Sequence, residues 1–436
     1  MTSMLEDWRD LGTLERVAAA VRGGELDPVG LTERALRRAE QTAALNAVVH
    51  LDPDGTRAVA AGHDRRGPLA GIPVLVKEIV EVEGWPFRCG SAAFADRVGT
   101  RDAEVVRRLR AAGAVLLGLS HSHEFAYGPT GTSNRVGPCR NPHDPERMSG
   151  GSSAGAGAAV AAGVVPLAIG TDTAGSVRIP AALCGVVGAK PARGTLPACG
   201  VFPLAQSLDH LGVLTGSVAD AAYALEVLAG RGAGPGAAGD APRLGVVANP
   251  EYRDWQQDVG RAWTAALDRL RAAGARLEEV TLPDWTAMTA TAVDLQGPEA
   301  TAVHLGRDTS RYQPDVQRRL SSAAKIPAWR YVRARADAAT LTTTVTELLA
   351  GLDAVVLPAV PITAPGVEAD EIAGPDGPTR VRERLLRNTR LANVTGHPAW
   401  SVPLPSPGLP VGLQLLAADD GQAAAAARWI ERAFTR

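Results

Sequence analysis

A lysine and two serine-bearing, glycine-rich turns carry the strongest chemical signal in this sequence. Lys77 follows the apolar run IPVLV, SGGSSAG spans Ser149–Gly155, and TDTAGSVRIP spans Thr171–Pro180. In the last of these, Thr173, Ala174, Gly175 and Ser176 have small side chains in a turn. Their consecutive backbone N–H groups can therefore face one oxygen, which is what a tetrahedral oxyanion requires. A serine nucleophile needs a base, and no histidine lies in these segments. A lysine at the end of an apolar strand can serve if burial lowers its pKa towards neutrality. Ser152, 24 residues before Ser176, can then relay a proton between Lys77 and Ser176. The competing structural reading makes the turns tight connections and Lys77 a satisfied surface charge.

Two other features compete for the chemistry. HSHEF, His121–Phe125, directly follows the apolar run AVLLGL, and an HxH pair at a strand end can hold a divalent metal, as in metal-dependent amide hydrolases. The simpler reading makes His121 and His123 loop residues hydrogen-bonded beside the site. GGSSAGAG is a glycine-rich turn entering a helix and could cradle a phosphate, but it lacks the Gly-Lys-Ser/Thr ending of a P-loop. Cys184, in AALCGVVG, reads as a small core residue. Asp209 and His210 are adjacent, and neighbours seldom orient one another as a Ser-His-Asp triad requires.

The elements that must hold these groups are legible from periodicity. Thr13–Arg22 and Pro28–Leu45 read as helices of a peripheral cover, the first closed by Gly23-Gly24, the second opened by an Asp27 cap with Pro28 at its first position. IPVLV suits a strand buried on both faces, Asp102–Ala112 an Asp-capped helix, and Ala114–Leu119 a second buried strand, which together imply a parallel crossover. A Gly/Ser loop at 149–155, an Ala-rich helix near 156–162 and the strand Val164–Ile169 continue the alternation, so the fold class is α/β. Ligands collect at the C-terminal ends of such strands. Residues 231–242 (RGAGPGAAGDAP) form the most linker-like stretch, either a boundary near 240 or one surface loop. Beyond them come the strand LGVVAN, helices near 256–273 and 326–350, the strand Ala354–Leu357, a Pro-punctuated segment to 410 and a closing helix near 420–434.

Composition excludes several function classes. At ~150 residues per domain, 436 residues suggest roughly three domains, although one large α/β domain stays within that range. With 45% hydrophobic and 21% charged residues the chain can bury a sizeable core. The 45 Lys/Arg against 47 Asp/Glu give a net charge of −2, so no field gathers nucleic acid or an anionic membrane. Four cysteines without a CxxC pair make neither a disulfide framework nor a zinc ribbon, and a reducing cytoplasm is expected. MTSMLEDWRD has no secretory pattern, and Ala154–Gly170, interrupted by Pro166, is too short and too weakly apolar to span a bilayer.

An ordered series of segments resembles the amidase signature family of serine hydrolases. These are GPLAGIPVLVKE (67–78), HEFAYGPTGTSN (123–134), RNPHDPERMSGGSSAG (140–155), GTDTAGSVRIPAALCGVVGAKPARG (170–194) and SLDHLG (207–212), with LDAVVLPAVPITAP (352–365) and TGHPAWSVPLP…GLPVGLQLL (395–416) further on. The resemblance covers nearly the whole chain from about residue 13. It implies one α/β/α domain over 1–436 around a large, mostly parallel mixed sheet, with 1–65 as helical cover, 66–230 as catalytic core and 243–436 as pocket walls. It also implies a Ser–cis-Ser–Lys triad without metal or cofactor. Residue by residue, the nucleophile falls on Ser176, the cis-serine on Ser152 and the base on Lys77. The oxyanion donors fall on the backbone of Thr173, Ala174, Gly175 and Ser176, and the pocket on Tyr127, Gly128, Thr130 and Ser153. Three departures are Lys77-Glu78 for the usual Lys-Asp, Phe87-Arg88-Cys89-Gly90-Ser91 for Thr-Thr-x-Gly-Ser, and Ala174-Gly175 for Gly-Gly. None removes a reacting atom; the first two bear on substrate identity, and the Ala174 methyl bears on the width of the oxyanion hole.

The expected reaction is attack by Ser176 on a small amide or carbamate, with neither nucleic acid nor membrane as partner and a homodimer as an open assembly. The wording SLDHLG and EFAYG leans towards carboxybiuret and allophanate substrates. Arg178 reads either as an ion pair with Asp172 or as a clamp for a substrate carboxylate. The alternatives are the amidase component of a tRNA-dependent amidotransferase, which hands ammonia to a partner, and a metal-dependent hydrolase built on His121 and His123.

Overall fold

The computed structural model describes residues 8–230, 241–374 and 377–435. Its strands are β1 (Val48–Leu51), β2 (Pro73–Lys77), β3 (Val115–Ser120), β4 (Arg140–Asn141), β5 (Asp144–Met148), β6 (Leu167–Asp172), β7 (Val187–Lys190), β8 (His210–Thr215), β9 (Arg243–Val247), β10 (Arg276–Val280), β11 (Ala354–Pro358), β12 (Glu371–Gly374), β13 (Gly377–Arg380), β14 (Ala399–Leu404) and β15 (Val411–Leu416). Eleven of them form one sheet in the order β1-β3-β2-β6-β8-β7-β14-β15-β11-β9-β10, while β4-β5 and β12-β13 are small hairpins. Two wings are parallel, β3-β2-β6 and β10-β9-β11, and the strands between them pair antiparallel. The expected α/β sheet is therefore present, mixed, with its parallel character concentrated in those wings.

Every residue of β2, β3, β6, β8 and β11 is buried. Side chains alternate between the two faces of a strand, so both faces of the sheet are covered, as the uninterrupted apolar runs require. The helices Ala154–Ala161 and Arg178–Cys184 pack on each other, the first against β2 and β6 and the second against β7 and β14. A second group, Val218–Ala229, Gln257–Ala272 and Asp420–Thr435, packs on strands from β6 to β15.

Most expected elements stand where the sequence places them, and the differences have local causes. The second helix ends at Gln41, and the turn Ala43–Leu45 continues it as 3₁₀. The helix expected from Asp102 starts at Glu104 behind an Ala103 cap that makes no side-chain bond. The Asp102 carboxylate instead accepts the Glu83 N–H and pairs with Arg110 at 2.8 Å. The third buried strand runs Leu167–Asp172 rather than Val164–Ile169, because Pro166 has no N–H to give a ladder and strand pairing begins beyond it. The Pro-punctuated segment before 410 contains β14, one of the central strands, with Pro403 near its end. Of the linker-like stretch, 231–240 lies outside the described residues, and the strand that follows it, β9, belongs to the same sheet as β2. No described helix is long and apolar enough to cross a membrane.

Candidate active site

Lys77 is the last residue of β2, the position where a parallel strand delivers its side chain to the ligand edge. It is fully buried, and its Nζ lies 2.7 Å from Ser152 Oγ and 2.8 Å from Thr171 Oγ1. Burial lowers its pKa to about 7, although the charges of Asp172, Asp209 and Glu78 pull the other way. Lys77 is thus no surface charge. Glu78, also buried, turns away to accept the Ser122 N–H at 3.0 Å and the Asn134 amide at 2.5 Å, and burial raises its pKa.

Ser152 sits on the buried turn between β5 and the helix Ala154–Ala161, and the Gly151–Ser152 peptide bond is cis. The turn is held from three sides: Gly151 N–H donates to Pro129 at 2.7 Å, Ser152 O accepts the His123 N–H at 3.0 Å, and Ser153 N–H donates to Ser176 O at 3.1 Å. That last bond sets Ser176 one residue away from the Lys77–Ser152 pair. A Cβ at Gly155 would lie 2.0 Å from Ala47 O, so only glycine lets this helix approach the loop before β1. Gly155 N–H also donates to His121 O at 2.9 Å. A phosphate would have to displace that bond, and the turn is wholly buried, so the anion-cradle reading has no support.

Ser176 lies on the loop joining β6 to the helix Arg178–Cys184 and retains 6% exposure, while its hydroxyl has no hydrogen bond among the described residues. The loop is shaped by Asp172, whose carboxylate accepts the Gly175 N–H at 2.7 Å and the Val177 N–H at 3.1 Å. The expected oxyanion set is reduced accordingly: the Gly175 N–H is engaged by Asp172, and those of Thr173, Ala174 and Ser176 remain. At Gly175 the backbone has φ +127°, and a Cβ would meet Thr389 Oγ1 at 2.3 Å.

Arg178 resolves as the ion pair. Its guanidinium donates to Asp172 at 3.0 and 2.9 Å, to Gln414 Oε1 at 2.6 Å, to Asn393 Oδ1 at 2.7 Å and to Thr389 O at 2.9 Å. Both charges are fully buried. Burial alone would raise the Asp172 pKa, but Arg178's charge and hydrogen bonds outweigh it and hold the carboxyl well below its usual range.

Asp209 and His210 do not form a triad with a serine. Asp209 takes the Thr173 hydroxyl at 2.5 Å and the Leu204 and Ala205 N–H groups at 2.9 and 3.0 Å, and burial raises its pKa to about 6. His210 Nδ1 lies 2.7 Å from Leu208 O. The histidines of HSHEF also diverge, His121 Nε2 to Gly137 O at 2.9 Å and His123 Nε2 to Asp315 at 3.1 Å. Burial pulls both pKa values down, that of His121 to about 4. No group of three His, Cys, Asp or Glu able to hold a metal occurs among the described residues. Dialysis against EDTA is expected to leave the hydrolytic rate unchanged, and loss of rate that returns with a divalent metal would restore the metal reading.

The expected pocket residues have distinct surroundings. Tyr127 is 5% exposed and receives a guanidinium contact from Arg319 on its carbonyl. Gly128 packs on the His123 ring, where a Cβ would come within 2.3 Å, and Thr130 Oγ1 lies 3.3 Å from His123 Nδ1. The Ser153 hydroxyl donates to Thr171 O at 3.1 Å and accepts its N–H at 3.2 Å, which fastens the turn to β6. Cys184 is a free, buried thiol whose pKa burial raises, as a core residue should be. Nothing in the sequence marks Thr171, Thr389, Asn393 or Gln414 as members of this site; only a three-dimensional arrangement brings the last three to a loop more than 200 residues away.

Residues 30–422 match the Amidase family. AtzE of Pseudomonas sp. (strain ADP), which is part of a 1-carboxybiuret hydrolase, is 38% identical over 379 residues, covering 80% of this chain and 81% of that protein. One component of the glutamyl-tRNA(Gln) amidotransferase of Chloroflexus aurantiacus is 33% identical, with 93% and 92% covered. A crystal structure of an amidase superposes with a TM-score of 0.91 at 34% identity, covering 97% of this chain and 100% of that one. The chain belongs to the amidase (amidase signature) family of hydrolases acting on carbon–nitrogen bonds.

Proposed function

We propose that this chain is a serine amidase, one catalytic domain over its whole length, that cleaves a small amide or carbamate through an acyl-enzyme on Ser176. The observation that carries the reading is the buried Lys77 Nζ, 2.7 Å from Ser152 Oγ, with its pKa brought to about 7 by burial. Protonated, Lys77 donates to Ser152; neutral, it accepts the Ser152 hydroxyl proton as Ser152 takes that of Ser176. Ser176 Oγ then adds to the substrate carbonyl, and the N–H groups of Thr173, Ala174 and Ser176 receive the oxyanion. The proton returns by the same relay to the leaving nitrogen, the C–N bond breaks, and water repeats the sequence on the ester. In this scheme Asp172 and Asp209 do not react; they hold the loop that presents Ser176.

For substrate, the proposed range includes a urea-derived amide of the carboxybiuret or allophanate type, a choice supported by the likeness to a 1-carboxybiuret hydrolase subunit. Hydroxylamine tests the intermediate: added with an amide substrate, it should compete with water for the acyl group and yield a hydroxamate. If no hydroxamate forms and a fluorophosphonate leaves Ser176 unlabelled, covalent catalysis is wrong.

A further inference from the structure

The turn that carries Asp209 has three attachments. Within it, the Asp209 and Leu208 N–H groups donate to Ala205 O at 2.8 and 2.9 Å, and the Asp209 carboxylate accepts the Leu204 and Ala205 N–H groups, so residues 204–209 close into one unit. On one side this unit grips the oxyanion loop, through Asp209 and the Thr173 hydroxyl at 2.5 Å. On a second it meets the Arg178 network, where Asn393 Nδ2 donates to Leu208 O at 3.3 Å. The third attachment leads away from the reacting groups: Ser207 N–H donates to Glu299 Oε2 at 2.9 Å.

Glu299 belongs to the helix Trp285–His304, and its other oxygen accepts the Tyr331 hydroxyl, at 3.1 Å, from the helix Ala328–Leu349. Arg335, one turn further along that second helix, donates to the same hydroxyl at 3.3 Å. One carboxylate thus joins both helices to the turn. Beside it lies a cavity of about 780 Å³, with Ser207, Glu299, Tyr331 and Arg335 in its wall. The Ser207 hydroxyl is buried with no hydrogen-bond partner among the described residues, so on this side the residue is fastened by its N–H. Glu299 gives Asp209 no electrostatic help, because its charge opposes the ionised form of a carboxyl that burial already disfavours. What Glu299 supplies is place.

We infer that Glu299 is a positioning residue for the oxyanion hole, acting through Ser207 and Asp209 on Thr173. This rests on the serine-amidase reading and extends it. Without the Glu299 acceptor the Ser207 N–H is left facing the cavity, and the turn is free to move towards it and carry Asp209 along. Donors to an oxyanion must stand within about 0.5 Å of their productive places, and Thr173 then loses its fixed one. The effect falls on kcat rather than on KM, because the oxyanion forms only beyond the ground state.

Three substitutions separate reach from charge. Glu299→Gln keeps an acceptor at full length without the charge, Glu299→Asp keeps the charge on a shorter side chain, and Glu299→Ala keeps neither. The rate at which a fluorophosphonate labels Ser176 reads the nucleophile and the oxyanion hole together, whatever the substrate. Labelling should slow by about 10-fold or more in Glu299→Ala and Glu299→Asp and stay within about 3-fold of wild type in Glu299→Gln. With the amide that the wild type hydrolyses fastest among primary amides, anilides and urea derivatives, kcat should fall in the same order while KM stays within about 3-fold. Labelling of Glu299→Asp at the wild-type rate, even with a lowered melting temperature, would reduce Glu299 to an anchor between helices and overturn the inference. A Glu299→Gln as slow as Glu299→Asp, or a loss expressed mainly in KM, would overturn it equally. If Glu299→Ala does not fold, the comparison of Asp with Gln decides by itself. A wild type whose Ser176 is never labelled rejects instead the amidase mechanism beneath.

Discussion

Ser176→Ala is expected to lower kcat by on the order of 10⁴-fold or more while the protein folds as before. The side chain removed is one hydroxyl with no hydrogen bond among the described residues, and the contacts that fix the loop belong to the backbone and to Asp172. Deleting it leaves no buried partner unsatisfied, so the melting temperature should stay close to that of the wild type. Residual activity above about a hundredth of wild type would assign the nucleophile elsewhere, because substrate binding and the oxyanion donors alone do not sustain such a rate.

Lys77→Met should have a double effect. Activity should fall by about 10²–10⁴-fold at neutral pH, the usual contribution of a positioned base. In the wild type, kcat/KM should rise as pH passes about 7 and level off above it, because the neutral amine is the active form. Glu124 is also brought to about 7 by burial, so the variant decides which group is responsible: the rise must disappear with Lys77. Stability should move the other way. Between pH about 7 and ~10.4 the unfolded lysine keeps a proton that the folded one has lost, so folding becomes more favourable as pH rises through that window. At pH 7 nearly the whole of that penalty is in force, at most about 5 kcal/mol, partly offset by the bonds to Ser152 and Thr171. Methionine removes the charge at similar volume, and a gain of about 1–4 kcal/mol is expected at pH 7, shrinking towards pH 10. A variant that is both inactive and less stable at pH 7 would contradict this account of Lys77.

Much of the site is local in sequence and was therefore legible there. A short apolar run ending in lysine must be a buried strand delivering that lysine to an edge, and β2 does so. Small residues around Ser176 mark a turn with open N–H groups, although the sequence could not tell that Asp172 takes one of them. Asp102 carries the look of a helix cap, yet its carboxylate is claimed by Glu83 and Arg110, a choice made by tertiary packing. β14 was hidden because proline reads as punctuation, while Pro403 falls near the strand's end. The Arg319 contact on Tyr127 was out of reach for another reason: the two residues are 192 positions apart, and nothing periodic relates them.

The network around Arg178 also sets a schedule for synthesis. Arg178 reaches Asn393 and Gln414, and the latter is 236 residues further along the chain. At ribosomal speeds the interval between the two is on the order of 10–50 s. Through that time the nucleophile loop has its own aspartate but lacks the amide partners that complete the pairing of its arginine. On the proposed mechanism a nascent chain can therefore carry Lys77, Ser152 and Ser176 and still lack the finished loop, so hydrolysis begins only after Gln414 has left the ribosome.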